Sequence, residues 1–129
     1  MPEKETPSVW IQKGYFVYIM SSQRRVLYVG LTGSLVRRIL QHKTGDLEGF
    51  TSRYKVTQLV YYQCFENVHN AIRREKEIKG WIRQKKVAPI EGVNPKWKDL
   101  SARWFNSQSD EEFRRMFASI NHMDGKDTL

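Results

Sequence analysis

The chain contains little cysteine and no long apolar run. Cys64 is the single cysteine among 129 residues, so an intramolecular disulfide cannot form and nothing calls for an oxidising compartment. No apolar stretch approaches the roughly 20 residues that a membrane-spanning helix needs. The opening residues 1–10, "MPEKETPSVW", are polar and acidic and do not resemble a signal peptide. A cytoplasmic location without membrane contact is therefore expected.

Acidic residues are also in short supply, and the imbalance is local. The formal net charge is +8, but residues 13–98 carry 17 Lys and Arg against 6 Asp and Glu, a local net charge of +11. The length suits one domain with tails, with a core that needs no disulfide or structural metal. A basic surface favours a polyanionic partner, nucleic acid above all. A soluble protein that is merely basic is the alternative.

Two apolar runs near the start of the domain predict a β-hairpin followed by a helix. Residues 14–20, "GYFVYIM", and 26–31, "VLYVGL", are aromatic and β-branched, and the polar "SSQRR" between them is typical of a turn. The segment 32–45, "TGSLVRRILQHKTG", predicts a helix that begins at Thr32 or Ser34 and ends at its final glycine.

The domain continues with a strand and a second helix. Residues 57–66 predict a third strand, and residues 67–86 predict one continuous helix that begins at Asn67. Pro89 and Pro95 indicate an irregular segment after it. Together these elements predict a small α/β domain with a mainly antiparallel three-stranded sheet flanked by helices.

The two ends of the chain are expected to lie outside this domain. Residues 1–12 are interpreted as a flexible arm, residues 13–100 as the domain and residues 101–129 as a C-terminal extension. Within the extension, an S-x-x-E capping box precedes an amphipathic helix at about 110–121. We expect this helix to dock onto the domain, and a protein partner for it stays open.

Two tyrosines occupy matching places in the predicted hairpin. If residue 23 is the centre of the turn, Tyr18 lies directly opposite Tyr28 and their hydroxyls come close together. Gly30 follows at the end of the second strand, where a backbone can approach a ligand. Two core aromatic residues on a sheet are the plain alternative.

The first predicted helix carries basic side chains of different orientation. Arg38 and His42 are four residues apart and share one helix face, where an arginine fork could hold a phosphate. Arg37 is turned about 100° from Arg38, which indicates a solvated charge or a phosphate contact. For His42, an ordinary position on a helix surface is the alternative.

A single carboxylate faces the apolar stripe of the second predicted helix. Glu75 lies three residues from two isoleucines of that stripe, whereas Glu77 points away. A carboxylate turned toward a core needs a partner, so Glu75 either pairs with a neighbour such as Arg38 or holds a metal. One glutamate can suffice for Mg²⁺, because that ion commonly keeps several waters. A structural ion pair, or a place at the edge of the stripe, is the alternative. The stripe is expected to contain Ala71, Ile72, Ile78, Trp81 and Ile82.

Several familiar site patterns are missing from the sequence. It has no Walker loop, no CxxC pair, no HExxH and no helix-turn-helix pattern. Two tyrosines, an Arg/His helix face and one inward carboxylate on a basic domain form a coherent set for phosphodiester cleavage. Composition and spacing alone do not establish that activity.

The order of these motifs resembles the GIY-YIG nuclease family. "VYI" at 17–19 and "YVG" at 28–30, followed by "LTGSLVRRILQH", are similar to its two name-giving motifs and the helix after them. "FTSRYK", "AIRREKEIKGW" and "NPKWKDL" are similar to its small bacterial single-domain branch, which is related to the N-terminal domain of the excinuclease C subunit. The resemblance spans about residues 14–100. Phe16 stands where the family name places glycine, while the tyrosine of that motif is kept.

The resemblance implies a Mg²⁺-dependent endonuclease that hydrolyses DNA phosphodiester bonds. Structure-specific cleavage in repair or recombination is one expectation, Mn²⁺ is an expected substitute for Mg²⁺, and RNA stays open as a substrate. Gly30 and Asn94 are expected supporting residues. The implied catalytic residues are Tyr18, Tyr28, Arg38, His42 and Glu75, with Glu75 as the metal ligand.

Basic residues outside this set are expected to touch nucleic-acid phosphates, which positions a substrate without reading its sequence. They are Arg37, Arg53, Lys55, Lys79, Arg83, Lys85 and Lys86. The alternative function is a non-catalytic nucleic-acid-binding module on the same basic surface, which would bind with strong salt dependence and cut nothing. A third hypothesis is an interaction domain whose partner protein binds the C-terminal helix.

Overall fold

The computed structural model describes residues 13–45, 49 and 53–105. The predicted N-terminal arm and the predicted C-terminal helix both lie outside the described residues. None of the helices in the described part of the chain is long and apolar enough to cross a membrane.

The hairpin forms as two antiparallel strands, β1 (Tyr15–Ser21) and β2 (Leu27–Thr32). The Ser22 N–H donates to the Val26 carbonyl at 3.0 Å, and Arg25, with φ 66°, takes the left-handed conformation. The loop between Ser22 and Val26 contains three residues, 23–25, which is a common length for a hairpin connection. The turn is therefore centred on residue 24 instead of the expected residue 23, and Tyr18 pairs with Gly30. The predicted pairing of Tyr18 with Tyr28 is wrong, although both residues still lie on the same face.

A third strand, β3 (Gln58–Phe65), completes the sheet. It pairs with β1 in antiparallel orientation, which gives the strand order β2-β1-β3. The predicted fold class, a mainly antiparallel three-stranded sheet flanked by helices, is confirmed. Since β1 is central, β2 and β3 are the two edge strands.

The outer edge of β3 is covered by the chain that follows the helices. The Leu100 N–H donates to the Leu59 carbonyl at 2.7 Å, and an Asp99 carboxylate oxygen accepts from the Leu59 N–H at 3.1 Å. The other carboxylate oxygen of Asp99 accepts from Lys43 at 2.6 Å. Burial raises the pKa of Asp99, but hydrogen bonds from Lys43, Ser101 and Leu59 outweigh it and hold the pKa below its usual value. After residue 100, the Trp104 ring packs edge-on against the Tyr62 ring, with 6.1 Å between the ring centroids. The predicted domain boundary at residue 100 stays a prediction.

Helix α1 (Leu35–Thr44) follows β2 directly. Ser34 occupies the N-cap, and its own N–H donates to the Thr32 hydroxyl at 2.9 Å. Gly45, with φ 79°, ends the helix in the left-handed conformation that glycine adopts without strain. The predicted start and end of this helix are therefore confirmed.

The second predicted helix is in fact two helices. Asn67 caps α2 (Val68–Lys79) by accepting from the N–H groups of His69 and Asn70, as its sequence position predicts. The chain leaves the helix at Gly80, becomes extended at Ile82 and starts α3 (Arg83–Val93).

The expectations for residues 67–100 are corrected in two respects. Ile82 is 71% exposed instead of lying in the apolar stripe, because the turn at Gly80 takes it out of helical phase. Pro89 lies inside α3 instead of breaking the chain into an irregular segment. Proline sacrifices one N–H donor but keeps a helical φ, and the fully buried Ile90 beside it holds the helix against the sheet.

The helices cover opposite faces of the sheet. Phe16, Tyr18 and Met20 point to a core layer shared with Leu35 and Ile39 of α1. The alternate residues of β1 point to a second layer shared with α2 and α3. Strand β2 therefore forms a sheet edge with α1 on one side and α2 on the other.

Candidate active site

Tyr18 is held in the core beneath the hairpin. It is fully buried, and its hydroxyl oxygen lies 3.0 Å from Nε2 of His42. Its ring lies against Gly30, where an added Cβ would come within 2.4 Å of the Tyr18 Cζ atom. The glycine of the second motif is therefore required by the tyrosine of the first.

Tyr28 joins Tyr18 and His42 in a cluster of three rings. The ring centroid of Tyr28 lies 6.3 Å from that of Tyr18 and 5.3 Å from that of His42. The two tyrosines are diagonal neighbours on one face of the hairpin, a separation that aromatic side chains can span. Tyr28 is only partly buried, so it connects the core cluster with the surface.

His42 is neutral at neutral pH. Burial, followed by the charge of Arg38, lowers its pKa to about 4. The side chain is 2% exposed, so the alternative of an ordinary position on a helix surface does not hold. A neutral imidazole can both accept and donate a hydrogen bond, depending on its tautomer, and here Nε2 faces the Tyr18 hydroxyl.

A cleft crosses the edge of the sheet at β2. It has a volume of about 380 Å³ and is called the edge cleft below. Arg38 reaches it from α1, on one face of the sheet, and Glu75 reaches it from α2, on the other. Both side chains can reach the same cleft because β2 is an edge strand, and no further strand separates the two faces of the sheet beyond it. The edge cleft is lined by Tyr28, Gly30, Leu31, Arg38, Ile72, Glu75, Lys76 and Lys79.

Glu75 is the carboxylate of the edge cleft. Its side chain is 13% exposed, and Oε2 forms an ion pair with Nζ of Lys79, one helical turn further along. The sequence left a pairing with Arg38 or a metal open. Lys79 is the observed partner, and Arg38 lines the same cleft.

Lys76 is a cleft residue that sequence reasoning missed. It extends the pattern Ile72, Glu75, Lys76 and Lys79, which is the i, i+3, i+4, i+7 spacing of one helix face. Once Glu75 is assigned to a site, this spacing predicts that the two lysines share it. The signal was therefore present in the sequence.

The other predicted phosphate contacts are not gathered at the edge cleft. Arg53, Lys55 and Arg83 are exposed, Lys86 is partly exposed, and Arg53 stacks over the Tyr54 ring at 5.7 Å. Of the expected set, Lys79 is the member that lines the cleft.

Two of the predicted site residues, Arg37 and Asn94, are buried in the fold. A solvated charge or a phosphate contact was predicted for Arg37. The solvated charge is wrong, because Arg37 is 9% exposed on a helix that is buried on more than one side, and the phosphate contact stays a prediction. Asn94 is buried at the end of α3, where its amide donates to the carbonyls of Val60 and Lys98. Its position anchors the following segment to β3 and lies away from the edge cleft.

The donor set of the edge cleft fits a hard divalent cation. Mg²⁺ takes one or two carboxylates and completes its shell with waters and substrate phosphates, and Glu75 offers one carboxylate in a polar cleft. Within residues 13–45, 49 and 53–105, no group of three or more His, Cys, Asp or Glu could enclose a metal. The arrangement thus suits an ion bound jointly by protein and substrate.

Comparison with known proteins identifies the family of this chain. Residues 14–88 match the GIY-YIG catalytic domain, so the chain belongs to the GIY-YIG family, whose domains are in general nucleases. The predicted family membership is confirmed.

Several relatives share most of their length with this chain. It is 36% identical over 72 residues to the UPF0213 protein of Haloquadratum walsbyi, covering 56% of this chain and 81% of that protein. It is 34% identical over 76 residues to a UPF0213 protein of Staphylococcus saprophyticus, covering 59% and 93% respectively. The solution NMR structure of a UPF0213 protein from Bacillus halodurans is 26% identical, covers 68% of this chain and 95% of that chain, and has a TM-score of 0.45.

Proposed function

We propose that this protein is a Mg²⁺-dependent endonuclease that hydrolyses DNA phosphodiester bonds. The observation that carries the proposal is the meeting of Tyr28, Arg38 and Glu75, from three different elements, in one cleft. A phenol, a guanidinium and a carboxylate are the groups that can orient water, hold a phosphate and bind a divalent cation. Membership of a family of nucleases supports the same conclusion.

Arg38 is the proposed phosphate-binding residue. Its place on α1 puts a guanidinium at the edge cleft, and an arginine fork can donate two hydrogen bonds to one phosphate. Charge builds up on the phosphate oxygens as the attacking oxygen approaches. A fixed cation at that place stabilises the transition state more than the ground state.

Glu75 is the proposed ligand of Mg²⁺, with waters and the substrate phosphate completing the shell. When bound, the metal supplies a Lewis acid that stabilises the leaving oxygen. Lys76 and Lys79 add positive charge to the same helix face and would hold the neighbouring phosphates.

Tyr28 is the proposed contact to the attacking water, in preference to Tyr18. The family resemblance implies that both tyrosines are catalytic, but the Tyr18 side chain is fully buried, whereas Tyr28 lines the cleft. His42 is also a poor proton acceptor for Tyr18. Burial and the nearby charge of Arg38 lower the pKa of its imidazole to about 4, which disfavours the imidazolium that such a proton transfer would create. We therefore assign Tyr18 and His42 as positioning residues that hold Tyr28 and α1 in place.

Cleavage of end-labelled DNA tests this proposal. Duplex, flap, branched and single-stranded substrates, with an RNA strand alongside, would be incubated with Mg²⁺, with Mn²⁺ and with EDTA. We expect metal-dependent cutting by the wild type and a loss of ~10²-fold or more in Glu75→Gln. Glu77→Gln is the matched control, because Glu77 lies on the same helix but pairs with Arg74 at an exposed site.

The same gels separate the proposal from its alternative. The preferred substrate would indicate whether the protein recognises branched or flapped structures, as expected for repair or recombination. Binding that weakens with salt, combined with no cutting in either metal, would instead support the non-catalytic binding module.

A further inference from the structure

The edge cleft contains three cationic side chains and one carboxylate, and one of the cations forms an ion pair with that carboxylate. Arg38, Lys76 and Lys79 all line the cleft, but Lys79 is the one that pairs with Glu75. The Glu75 side chain is 13% exposed and the Lys79 side chain is 54% exposed. A carboxylate so far removed from water needs a positive partner, and Lys79 supplies it.

We infer that Lys79 is a resident counter-ion that holds the metal-binding oxygen of Glu75 until a divalent cation displaces it, after which the lysine moves to a substrate phosphate. This inference rests on the function proposed above. It assigns to Lys79 a role that Lys76, one turn away in the same cleft, does not share.

The contact geometry supports such an exchange. Lys79 bonds Oε2 of Glu75, so an ammonium and a metal would compete for the same oxygen. Lysine carries a point charge on a flexible four-carbon stem, and its half-exposed position leaves room to reorient. The Lys79 side of the ion pair is half-exposed, so solvent screens the attraction and weakens it. A divalent cation, with twice the charge, can therefore replace the ammonium.

The exchange would couple the two ligands of the site. A metal ion that takes Glu75 releases a positive charge to the cleft, which strengthens phosphate binding. By thermodynamic reciprocity, phosphate that draws Lys79 away from Glu75 strengthens metal binding. The carboxylate is thereby kept neutralised when substrate is absent and becomes available when a phosphate arrives.

Mn²⁺ binding, measured without DNA by the loss of the free-ion EPR signal, tests the first half of the inference. Lys79→Met should bind Mn²⁺ about fivefold more tightly than the wild type at physiological salt, since it loses both the competing ion pair and a nearby positive charge. Lys76→Met is the matched control and should gain less than about twofold from the charge alone. It removes the same charge from the same cleft, and Lys76 forms no ion pair with a carboxylate of the described residues. Lys79→Arg, which can restore the pair, should bind as the wild type does.

The outcomes distinguish this inference from the proposed function. If the wild type binds Mn²⁺ through Glu75, as shown by loss in Glu75→Gln, but Lys79→Met and Lys76→Met change affinity equally, the counter-ion role is overturned and the proposed function stands. If neither the wild type nor Lys79→Met binds Mn²⁺, whether DNA is absent or present, the metal site itself is refuted. Thermal melts would confirm that each variant is folded.

DNA binding tests the second half. The salt dependence of affinity for a fluorescent DNA duplex would be measured with EDTA and with Ca²⁺, and gels would confirm that the DNA stays intact. Lys79→Met should lower the slope of log K against log salt by about 0.9, the value for one phosphate contact, only when Ca²⁺ is present. Lys76→Met should lower it under both conditions. An equal effect of Lys79→Met with and without Ca²⁺ would contradict the exchange.

Discussion

Replacing Gly30 with alanine tests the packing on which the ring cluster depends. The new Cβ would lie 2.4 Å from both Cζ and the hydroxyl oxygen of Tyr18, and 2.8 Å from Cε1. Real Cβ atoms do not approach other atoms so closely, so one of the two groups must move. The Tyr18 ring is fully buried, and a close-packed core offers it no free volume.

The expected cost has two parts. Forcing an extra methyl group into a packed core costs about 1–3 kcal/mol. Moving the Tyr18 ring also disturbs its 3.0 Å contact with His42, and a lost hydrogen bond costs about 0.5–1.5 kcal/mol. The free energy of unfolding should therefore fall by about 2–4 kcal/mol. With an m-value near 1.5 kcal/mol/M, the urea midpoint would drop by about 1–3 M.

Urea unfolding, followed by circular dichroism, measures this cost. Gly33→Ala is the matched control, because its Cβ would meet Tyr15 at an ordinary 3.9 Å, and we expect a change within about 0.5 kcal/mol. In a Tyr18→Leu background, which removes the end of the ring, Gly30→Ala should cost much less. Equal midpoints for Gly30→Ala and Gly33→Ala, or an undiminished cost in the Tyr18→Leu background, would show that contact with the Tyr18 ring does not require glycine at position 30.

Three further predictions concern pH and the two tyrosines. The pKa of His42 is lowered by burial and by a nearby arginine to about 4, against about 6.5 when unfolded. Stability should thus fall by up to ~3 kcal/mol as pH drops from 6.5 to 4, and urea midpoints should show a smaller fall in His42→Gln than in the exposed control His69→Gln. The pKa of Asp99 is also lowered in the folded protein. The ionised carboxylate therefore stabilises the fold at neutral pH, and this stabilisation is lost as the carboxylate becomes protonated in acid. Asp99→Asn should therefore cost about 1–3 kcal/mol at pH 7, with the difference from the wild type shrinking below about pH 4. Tyr28→Phe should lower cleavage by ~10²-fold with little change in stability, whereas Tyr18→Phe should lower the melting temperature. Cleavage lost equally in both, with no loss of stability in Tyr18→Phe, would contradict their separate roles.

The sequence predicted best the features that depend on local chemistry. Asn67 and Gly45 mark helix ends because a side-chain acceptor and a left-handed glycine satisfy backbone groups nearby. Glu75 stood out in the sequence because burying a carboxylate within an apolar stripe costs free energy unless the carboxylate is paired or binds a cation. These inferences needed only neighbours along the chain.

The predictions that were wrong concern features that depend on tertiary packing. The hairpin register shifted by two residues because the hydrogen bonds of Ser22, rather than the polarity of the turn, set the loop. The break at Gly80 and the helical Pro89 reflect how α3 buries Ile90, which no local signal reveals. The burial of Arg37 has the same origin, because helical periodicity shows which residues share a face but not how many faces are covered.

The position of the edge cleft also determines how the site responds to change. Arg38 lies on α1 and Glu75 on α2, and the buried side chains of these two helices belong to separate hydrophobic layers on opposite faces of the sheet. A substitution in one layer should therefore displace one wall of the cleft and leave the other in place. The spacing between the two walls is set by the thickness and twist of the sheet itself. Mutant libraries confined to the α2 side could thus vary the width and charge of the cleft while α1 and the ring cluster stay constant.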